Sequence, residues 1–266
     1  MISINQTLIE VSQIYLEGLS PQQLNILNLM EKSREVYRYD SMMQLEFELL
    51  LREEIIESAR LLDKSRAQFA SFETSKCNEA YWTVTGEGGF EFKPNVLPQT
   101  AIEDIFINGQ KYAFECAVAI VIIYYKAVLE SIDKRHFNQM FANLYLFSWK
   151  FDLDLDLSSH IGTDFLPGDC VYFKNPDHDP RMPEWQGENA IILNGNLYFG
   201  HGIGITTSQG MIDVLNTKRQ KDSKISAFLL NQITRPNFRY LSQFRITRSR
   251  ASPLAILKIG SKTYLL

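Results

Sequence analysis

The feature that most constrains this chain is a nearly uncharged stretch at residues 108–129, which contains Cys116. Asn108 and Gly109 interrupt whatever precedes it, and Glu115 is the only charged residue between positions 112 and 125. A helix that is apolar on all sides belongs in a protein core. The uninterrupted apolar run from Cys116 is too short for a bilayer, which needs about 20 residues. We therefore expect a buried helix in a soluble protein, with a buried strand as the alternative.

Two interpretations of Cys116 follow from its place near the start of this helix. Unpaired N–H groups and the positive end of the helix dipole favour a thiolate there, which is how a nucleophilic cysteine is usually presented. Alternatively, free cysteine is among the most buried residue types and packs as a small apolar side chain. The stretch by itself favours the second interpretation.

Length and composition indicate one domain. With 266 residues and 45% hydrophobic content, the chain can bury a full core. No linker, repeat or low-complexity run divides it, so we expect residues 1–266 to form a single domain. A net charge of -4 argues against nucleic acid as the main partner, because phosphate binding requires clustered Lys and Arg.

The cysteines and the first residues indicate in which cellular compartment the protein is found. Cys77, Cys116 and Cys170 show no CxxC spacing, which predicts neither a disulfide framework nor a zinc site and fits a reducing environment. Residues 1–18 lack the basic region and apolar core of a signal peptide. We expect a protein made and kept inside a cell.

The order of predicted elements indicates an α+β fold. Helices are expected at 21–33, 41–68, 98–107 and 217–230, with Ser41 and Gln44 in capping-box spacing. Aromatic and branched residues around a Gly-rich turn predict a hairpin at 81–93. Extended segments are expected at 142–157, 169–175, 188–202, 210–216 and 234–248. Helices followed by antiparallel strands place the Cys116 helix on a sheet.

A nucleophilic cysteine needs a base and a group that orients it. His136, His160 and His178 lie in charged or turn-rich segments, whereas His201 lies in an apolar hairpin. The hairpin signal Asn194-Gly195 places Glu188 opposite His201 when residues are counted outward from the turn. Opposed residues have Cβ atoms roughly 4.5–5.5 Å apart, so we expect a hydrogen bond between the two side chains.

The face that carries this pair is otherwise apolar and should pack on the buried helix; its other members are Ala190, Ile192, Leu197 and Phe199. A turn at Gly195-Asn196 would change the register. Without a thiol nearby, the pair would be an ordinary structural one.

Four motifs carry a family resemblance: FECAVAIVIIYYKA, GDCVYFKNPDHDP, WQGEN and YFGHGIG. In this order they resemble the small, calcium-independent transglutaminases of spore-forming bacteria, the protein-glutamine γ-glutamyltransferases of the spore coat. The resemblance runs from the LEFELLLR helix to FRITR. The first 20 or so residues match poorly, and residues 251–266 extend past the usual end.

The resemblance implies a fold and a site. The fold is a papain-like core of the NlpC/P60 type, with extra N-terminal helices and a Cys-bearing helix packed on an antiparallel sheet. The nucleophile falls on Cys116, the catalytic carboxylate on Glu188 and the supporting imidazole on His201. Glu115 would guide the lysine ammonium or favour the helix N-terminus. The active-site tunnel would be lined by Phe69, Trp149 and Trp185.

The implied reaction is acyl transfer without a cofactor. Cys116 takes the acyl group of a protein glutamine, ammonia leaves, and a lysine ε-amine resolves the thioester into an isopeptide crosslink. Glu188 would move the protons and His201 would orient it. The Cys116 N–H is a candidate oxyanion donor, and no second donor can be named from the sequence. The expected partners are spore-coat proteins with reactive Gln and Lys, and the expected state is a monomer deposited in the coat.

Two other classes of protein share features of this sequence, and one segment is spaced like part of a metal-binding loop. A cysteine peptidase or amidase shares the thioester but lets water resolve it, and a non-catalytic coat protein would only pack Cys116. Asp152, Asp154 and Asp156 are spaced as at the start of an EF-hand, but Leu157 replaces its glycine and Thr163 its glutamate. We expect no metal site and no calcium requirement.

Overall fold

The first half of the chain is mainly helical. A computed structural model describes residues 1–14, 18–246, 256–259 and 261–265. The elements of this half are β1 (Ile2–Ile4), β2 (Thr7–Ile9), α1 (Pro21–Lys32), β3 (Tyr37–Tyr39), α2 (Met42–Ser65), β4 (Gln68–Phe69), β5 (Trp82–Val84), β6 (Phe90–Phe92), α3 (Pro98–Ile107), β7 (Ala113–Phe114) and α4 (Cys116–Ser131). The predicted α1, α2, α3 and 81–93 hairpin are confirmed.

The second half supplies the main sheet. Its elements are α5 (Lys134–Met140), β8 (Tyr145–Leu146), β9 (Leu157–Ile161), β10 (Cys170–Lys174), β11 (Gly187–Asn194), β12 (Leu197–Gly200), β13 (Gly204–Thr207), α6 (Ser208–Asn216), β14 (Phe228–Pro236), α7 (Phe238–Leu241), β15 (Ile256–Ile259) and β16 (Lys262–Leu265). Strands β9 to β14 form one antiparallel sheet in the order β13-β12-β11-β10-β14-β9.

The sheet separates two apolar layers. One face contributes Cys170, Ile191, Leu193 and Phe199 to the main core, which contains α2 and the apolar residues of α4. The other face contributes Val171, Ala190, Ile192 and Tyr198 to a smaller cluster with Met211 and Leu215 of α6. The α+β prediction is confirmed, and α4, the helix that begins at Cys116, is enclosed between α2 and the sheet.

The buried helix α4 is shorter than predicted. Residues 109–111 form a 3-10 turn and β7 follows, so the helix begins at Cys116 rather than near Asn108. The side chain of Glu115 caps it by accepting a hydrogen bond from the Ala117 N–H. The thiol therefore lies on the first helical residue, within the first turn as expected.

Several predictions for the second half were wrong. Within 142–157 only β8 and the first residue of β9 are extended, because Asp152 caps a 3-10 turn and Asp154 is buried in hydrogen bonds to Tyr240 and Thr263. Residues 210–216 belong to α6, in which Met211 and Leu215 are buried one turn apart. Such i, i+4 spacing is helical, so the prediction of an extended segment at 210–216 was wrong.

Two more segments differ from expectation. Residues 217–227 form turns rather than a helix, and β14 begins at Phe228. Residues 238–244 are helical where an extended chain was expected, and positions 247–248 lie outside the described residues. The capping-box prediction was also wrong: Ser41 is the N-cap of α2 without a side-chain bond, and Gln44 Oε1 accepts from the Asp40 N–H instead.

A buried ion network joins α2 to the sheet. Arg52 is fully buried and bonds Glu48 on its own helix and Asp169 just before β10. Arg235 of β14 bonds the same Asp169 and also Asp164. Asp169 therefore balances two guanidinium groups at the start of the strand that crosses the site. Within the described residues, no helix has both the length and the apolar character needed to cross a membrane.

Candidate active site

Glu115 and Cys116 form the centre of the site at the N-terminus of α4. The Cys116 Sγ donates a hydrogen bond to Glu115 Oε1 at 2.8 Å, and Glu115 Oε2 accepts from the Ala117 N–H at 2.8 Å. The carboxylate reaches the thiol because Glu115 lies in the turn before the helix, with extended backbone angles. Only 2% of the Cys116 surface is exposed.

His201 holds the chain just before the nucleophile. Strands β4 and β7 pair in parallel, with Phe69 opposite Phe114. The Nε2 of His201 lies 3.1 Å from the Gln68 carbonyl oxygen, and its ring stacks on Phe114 at a centroid distance of 4.7 Å. Burial lowers the pKa of His201 to about 4, against the opposing effect of hydrogen bonds to the Gln68 and Phe114 carbonyls. His201 is thus a neutral imidazole at physiological pH.

The predicted pairing of Glu188 with His201 was wrong. Asn194 pairs with Leu197, a bulge follows, and Ala190 pairs with Gly200. The turn is therefore at Gly195-Asn196, and such a shift transfers side chains to the other face. Ala190 and Ile192 accordingly pack with α6 rather than on the nucleophile helix. In the described structure the imidazole of His201 makes no hydrogen bond to the Glu188 carboxylate.

Glu188 is nevertheless close to the thiol. It is 1% exposed, its Oε1 has no hydrogen-bond partner among the described residues, and its charge raises the pKa of Cys116. A Cβ atom on Gly200 would lie 2.8 Å from Glu188 Cγ, so a glycine is needed there to seat the carboxylate. Burial and the nearby Glu115 raise the pKa of Glu188 well above its usual value, and the backbone N–H of His201 opposes that rise.

The electrostatics of the thiol differ from the expectation for a helix N-terminus. Burial raises the pKa of Cys116 well above that of a free thiol, and the charges of Glu188 and Glu115 raise it further. The backbone N–H of Asn189 lowers it. The position at the helix N-terminus therefore does not make Cys116 a thiolate, and the buried thiol keeps its proton at neutral pH.

Two of the three predicted aromatic residues are together. Phe69 and Trp185 have centroids 5.2 Å apart, and Phe69 lies 6.2 Å from His201. Gly202, with φ +95°, brings its backbone so close to Phe69 that a Cβ atom would lie 2.9 Å from the Phe69 Cβ. Trp149 instead lines a separate surface cavity of about 460 Å³, whose wall contains neither Cys116 nor Glu188. Its place in a tunnel stays a prediction.

Three residues near the site were missed in the sequence. The Asn189 Nδ2 donates to Cys116 Sγ at 3.4 Å, and Tyr172 lies opposite Asn189 in the strand register. Burial, followed by the charges of Cys116, Glu115 and Glu188, raises the pKa of Tyr172 to about 12. The Lys218 Nζ lies 4.7 Å above the Trp185 ring. In the sequence, only the position of Asn189 directly after Glu188 could have indicated that it lies near the site.

The three spaced aspartates are engaged by protein groups. Asp154 bonds Tyr240 and Thr263, and Asp156 bonds Asn237 and Lys262. Across the described ranges, no three His, Cys, Asp or Glu side chains are grouped so as to hold a metal ion.

Comparisons with known proteins identify the family of this chain. The sequence model of the family "Protein-glutamine gamma-glutamyltransferase" matches residues 1–245. The match begins at residue 1, so it includes the first 20 residues, and it ends before residues 251–266. A protein of that name from Bacillus cereus (strain G9842) is 43% identical over 243 residues, covering 91% of this chain and 88% of the relative.

Two further relatives give the same result. A protein-glutamine gamma-glutamyltransferase of Bacillus anthracis is 46% identical over 226 residues, covering 85% of this chain and 82% of the relative. The solved structure of a transglutaminase from Geobacillus stearothermophilus, without its C-terminal extension, is 52% identical with a TM-score of 0.76. It matches 78% of this chain and 100% of that chain. The chain therefore belongs to the protein-glutamine gamma-glutamyltransferase family of transferases.

Proposed function

We propose that this chain joins the side chain of a protein glutamine to the ε-amine of a protein lysine, through a thioester on Cys116. The observation that carries the proposal is the 2.8 Å hydrogen bond from the Cys116 thiol to Glu115 Oε1. A nucleophilic thiol must transfer its proton as it attacks, and this geometry supplies the acceptor.

In the first half-reaction the Cys116 sulfur bonds to the carboxamide carbon of glutamine. The thiol proton passes to Glu115, and the carbonyl becomes an oxyanion. When the tetrahedral intermediate collapses, the C–N bond breaks and the nitrogen takes a proton from a carboxyl group, leaving as ammonia. The raised pKa of Glu188 supports a role as this proton donor near neutral pH.

In the second half-reaction the lysine amine attacks the thioester. One amine proton passes to a carboxylate, the C–S bond breaks, and the sulfur recovers its proton. The products are an isopeptide and free Cys116. His201 takes no proton in this scheme because burial lowers its pKa to about 4, which makes the ring a weak base at neutral pH. Its role is to hold the β4 and β7 strands, and with them the start of α4.

Exclusion of water supports transfer rather than hydrolysis. Cys116 and Glu188 are almost fully buried, and Phe69 with Trp185 forms an aromatic wall beside His201. A thioester in such a site is protected from bulk water. The second candidate, a cysteine peptidase or amidase, would need an open path for water to the sulfur.

The proposal extends to the type of core, the oligomeric state and the protein substrates. A Cys-bearing helix on an antiparallel sheet supports an NlpC/P60-like core, and the chain would act as a single-domain monomer without a metal. Its protein substrates would be Gln- and Lys-bearing proteins of the spore coat, which agrees with the Bacillus sources of the relatives.

The decisive experiment measures incorporation of a fluorescent primary amine into a glutamine-rich protein, with excess chelator present. The natural chain should incorporate the amine and release one ammonia for each label. Cys116→Ala should abolish both, whereas Cys77→Ala should retain them, because the half-buried Cys77 lies outside the contacts that join Cys116 to Glu115 and Asn189.

Other outcomes would contradict the proposal in different ways. Ammonia release without incorporation would indicate a hydrolase. Activity that survives in Cys116→Ala would exclude the thioester. If the natural chain has no activity, Cys116 is only a packed core residue. If the chelator abolishes the activity, the reaction needs a metal ion.

A further inference from the structure

Asn189 directs two donors at the nucleophile. Its Nδ2 donates to the Cys116 Sγ at 3.4 Å, and its backbone N–H lowers the pKa of the same thiol. Asn189 is buried, with 8% of its surface exposed. It lies on β11 directly after Glu188 and on the face of the sheet that packs against α4.

A third donor belongs to Cys116 itself. As the first residue of α4, Cys116 has a backbone N–H that no carbonyl of the helix accepts. The Glu115 carboxylate accepts a hydrogen bond from the Ala117 N–H. The Asn189 amide on β11 contacts the sulfur, and the Cys116 N–H at the start of α4 belongs to the residue that carries the sulfur.

We propose that the Asn189 side-chain amide and the Cys116 backbone N–H form the oxyanion pocket of the acyl-transfer reaction. The inference rests on the proposed function. When sulfur attacks, the carbonyl π electrons move to an oxygen bonded to the same carbon as the sulfur. A donor that already contacts the sulfur is within reach of that oxygen.

Burial of the thiol explains why such donors are needed. Removal from water is the main cause of the raised pKa of Cys116, and it disfavours an adjacent oxyanion for the same reason. Preorganised N–H donors offset this cost only in the transition state, when the charge develops. The Tyr172 hydroxyl is the competing donor, because it faces the thiol, Glu115 and Glu188 from β10.

The test compares two reactions of the same sulfur in the natural chain and in Asn189→Ala. Transfer to a labelled amine passes through an oxyanion, whereas alkylation by iodoacetamide displaces iodide at a saturated carbon and forms none. We expect Asn189→Ala to lower kcat for transfer by roughly 100- to 1,000-fold with little change in KM for a glutamine peptide. Alkylation of Cys116 should change by less than about threefold, on the scale that one lost hydrogen bond to sulfur allows.

Three results would overturn the inference. They are unchanged transfer in Asn189→Ala, an alkylation rate that falls as much as transfer, and a large loss of kcat in Tyr172→Phe while Asn189→Ala stays active. If Asn189→Ala does not fold, as judged by urea unfolding, the near-isosteric Asn189→Leu decides by the same two rates. An inactive natural chain would refute the proposed function itself, and is thereby distinguished from a failure of Asn189 alone.

Discussion

The Cys116 thiol donates to one oxygen of Glu115 while the other oxygen of the same carboxylate caps the helix that carries the thiol. One side chain thus both determines where α4 begins and supplies a proton acceptor. These two functions are separable by mutation, because a neutral amide can still accept the Ala117 N–H but cannot accept the thiol proton.

We expect Glu115→Gln to lower the rate of amine incorporation by about 100-fold, the usual contribution of a positioned general base. Its stability should stay within about 0.5 kcal/mol of the natural chain. Glu115→Ala should lose the same activity and also about 1 kcal/mol of stability, as expected for a lost N-cap. Urea unfolding and incorporation assays measure the two effects. Full activity in Glu115→Gln would show that another group receives the proton.

Glu188→Gln should make Cys116 easier to ionise. The charge of Glu188 raises the pKa of the thiol, so its removal should lower that pKa and move the pH profile of alkylation to lower pH. Mass spectrometry of Cys116 after timed iodoacetamide treatment measures the profile. Glu184→Gln, a half-exposed position on the same segment, is the control and should leave the midpoint unchanged. A shift to higher pH in Glu188→Gln would contradict the electrostatic account.

Burial of neutral His201 should make the fold sensitive to mild acid. Its pKa falls from about 6.5 in the unfolded chain to about 4 in the folded one, so below pH 6.5 the unfolded state binds the proton more tightly. The stabilisation is fully present above pH 6.5 and is lost as the pH falls towards 4. At that pH the loss in the free energy of unfolding is roughly 3 kcal/mol.

Urea unfolding between pH 7.5 and 4 measures this loss. Because carboxyl groups also titrate in that range, the comparison is with His201→Gln, which lacks the imidazole and should show a shallower decline between pH 6.5 and 5. Parallel profiles for the two proteins would mean that the ring is not held neutral by burial.

The ion network behind the site should be costly to break. Asp169→Asn leaves Arg52 and Arg235 without their shared carboxylate in a buried site, and such a loss typically destabilises a fold by about 3–5 kcal/mol. The control is Asp133→Asn, which removes the carboxylate partner of the exposed Arg135 and should shift the urea midpoint far less, because water screens such a surface pair. Equal urea midpoints for the two variants would show that the network does not stabilise the sheet against α2.

Local patterns in the sequence were sufficient for part of the fold. Apolar spacing and breakers predicted α1, α2 and α3 to within a few residues, because helix periodicity and termini depend on neighbouring residues. The same reasoning failed for α6 and for the aspartates at 152–156. Alternating Asp and Leu at 152–156 resembled a strand, and 210–216 was also predicted to be extended, whereas burial of Met211 with Leu215 and of Asp154 depends on distant partners.

For the site, contiguous motifs in the sequence were enough to predict the family, the thiol at the start of a buried helix and the acidic residue beside it. Packing in three dimensions was needed for the hairpin register, which a turn one residue further along and a bulge shift away from a Glu188–His201 pair. It also decided the carbonyl partner of His201 and the approach of Asn189 to the sulfur. Those contacts join residues that are 73 and 133 positions apart, so packing rather than local pattern determines them.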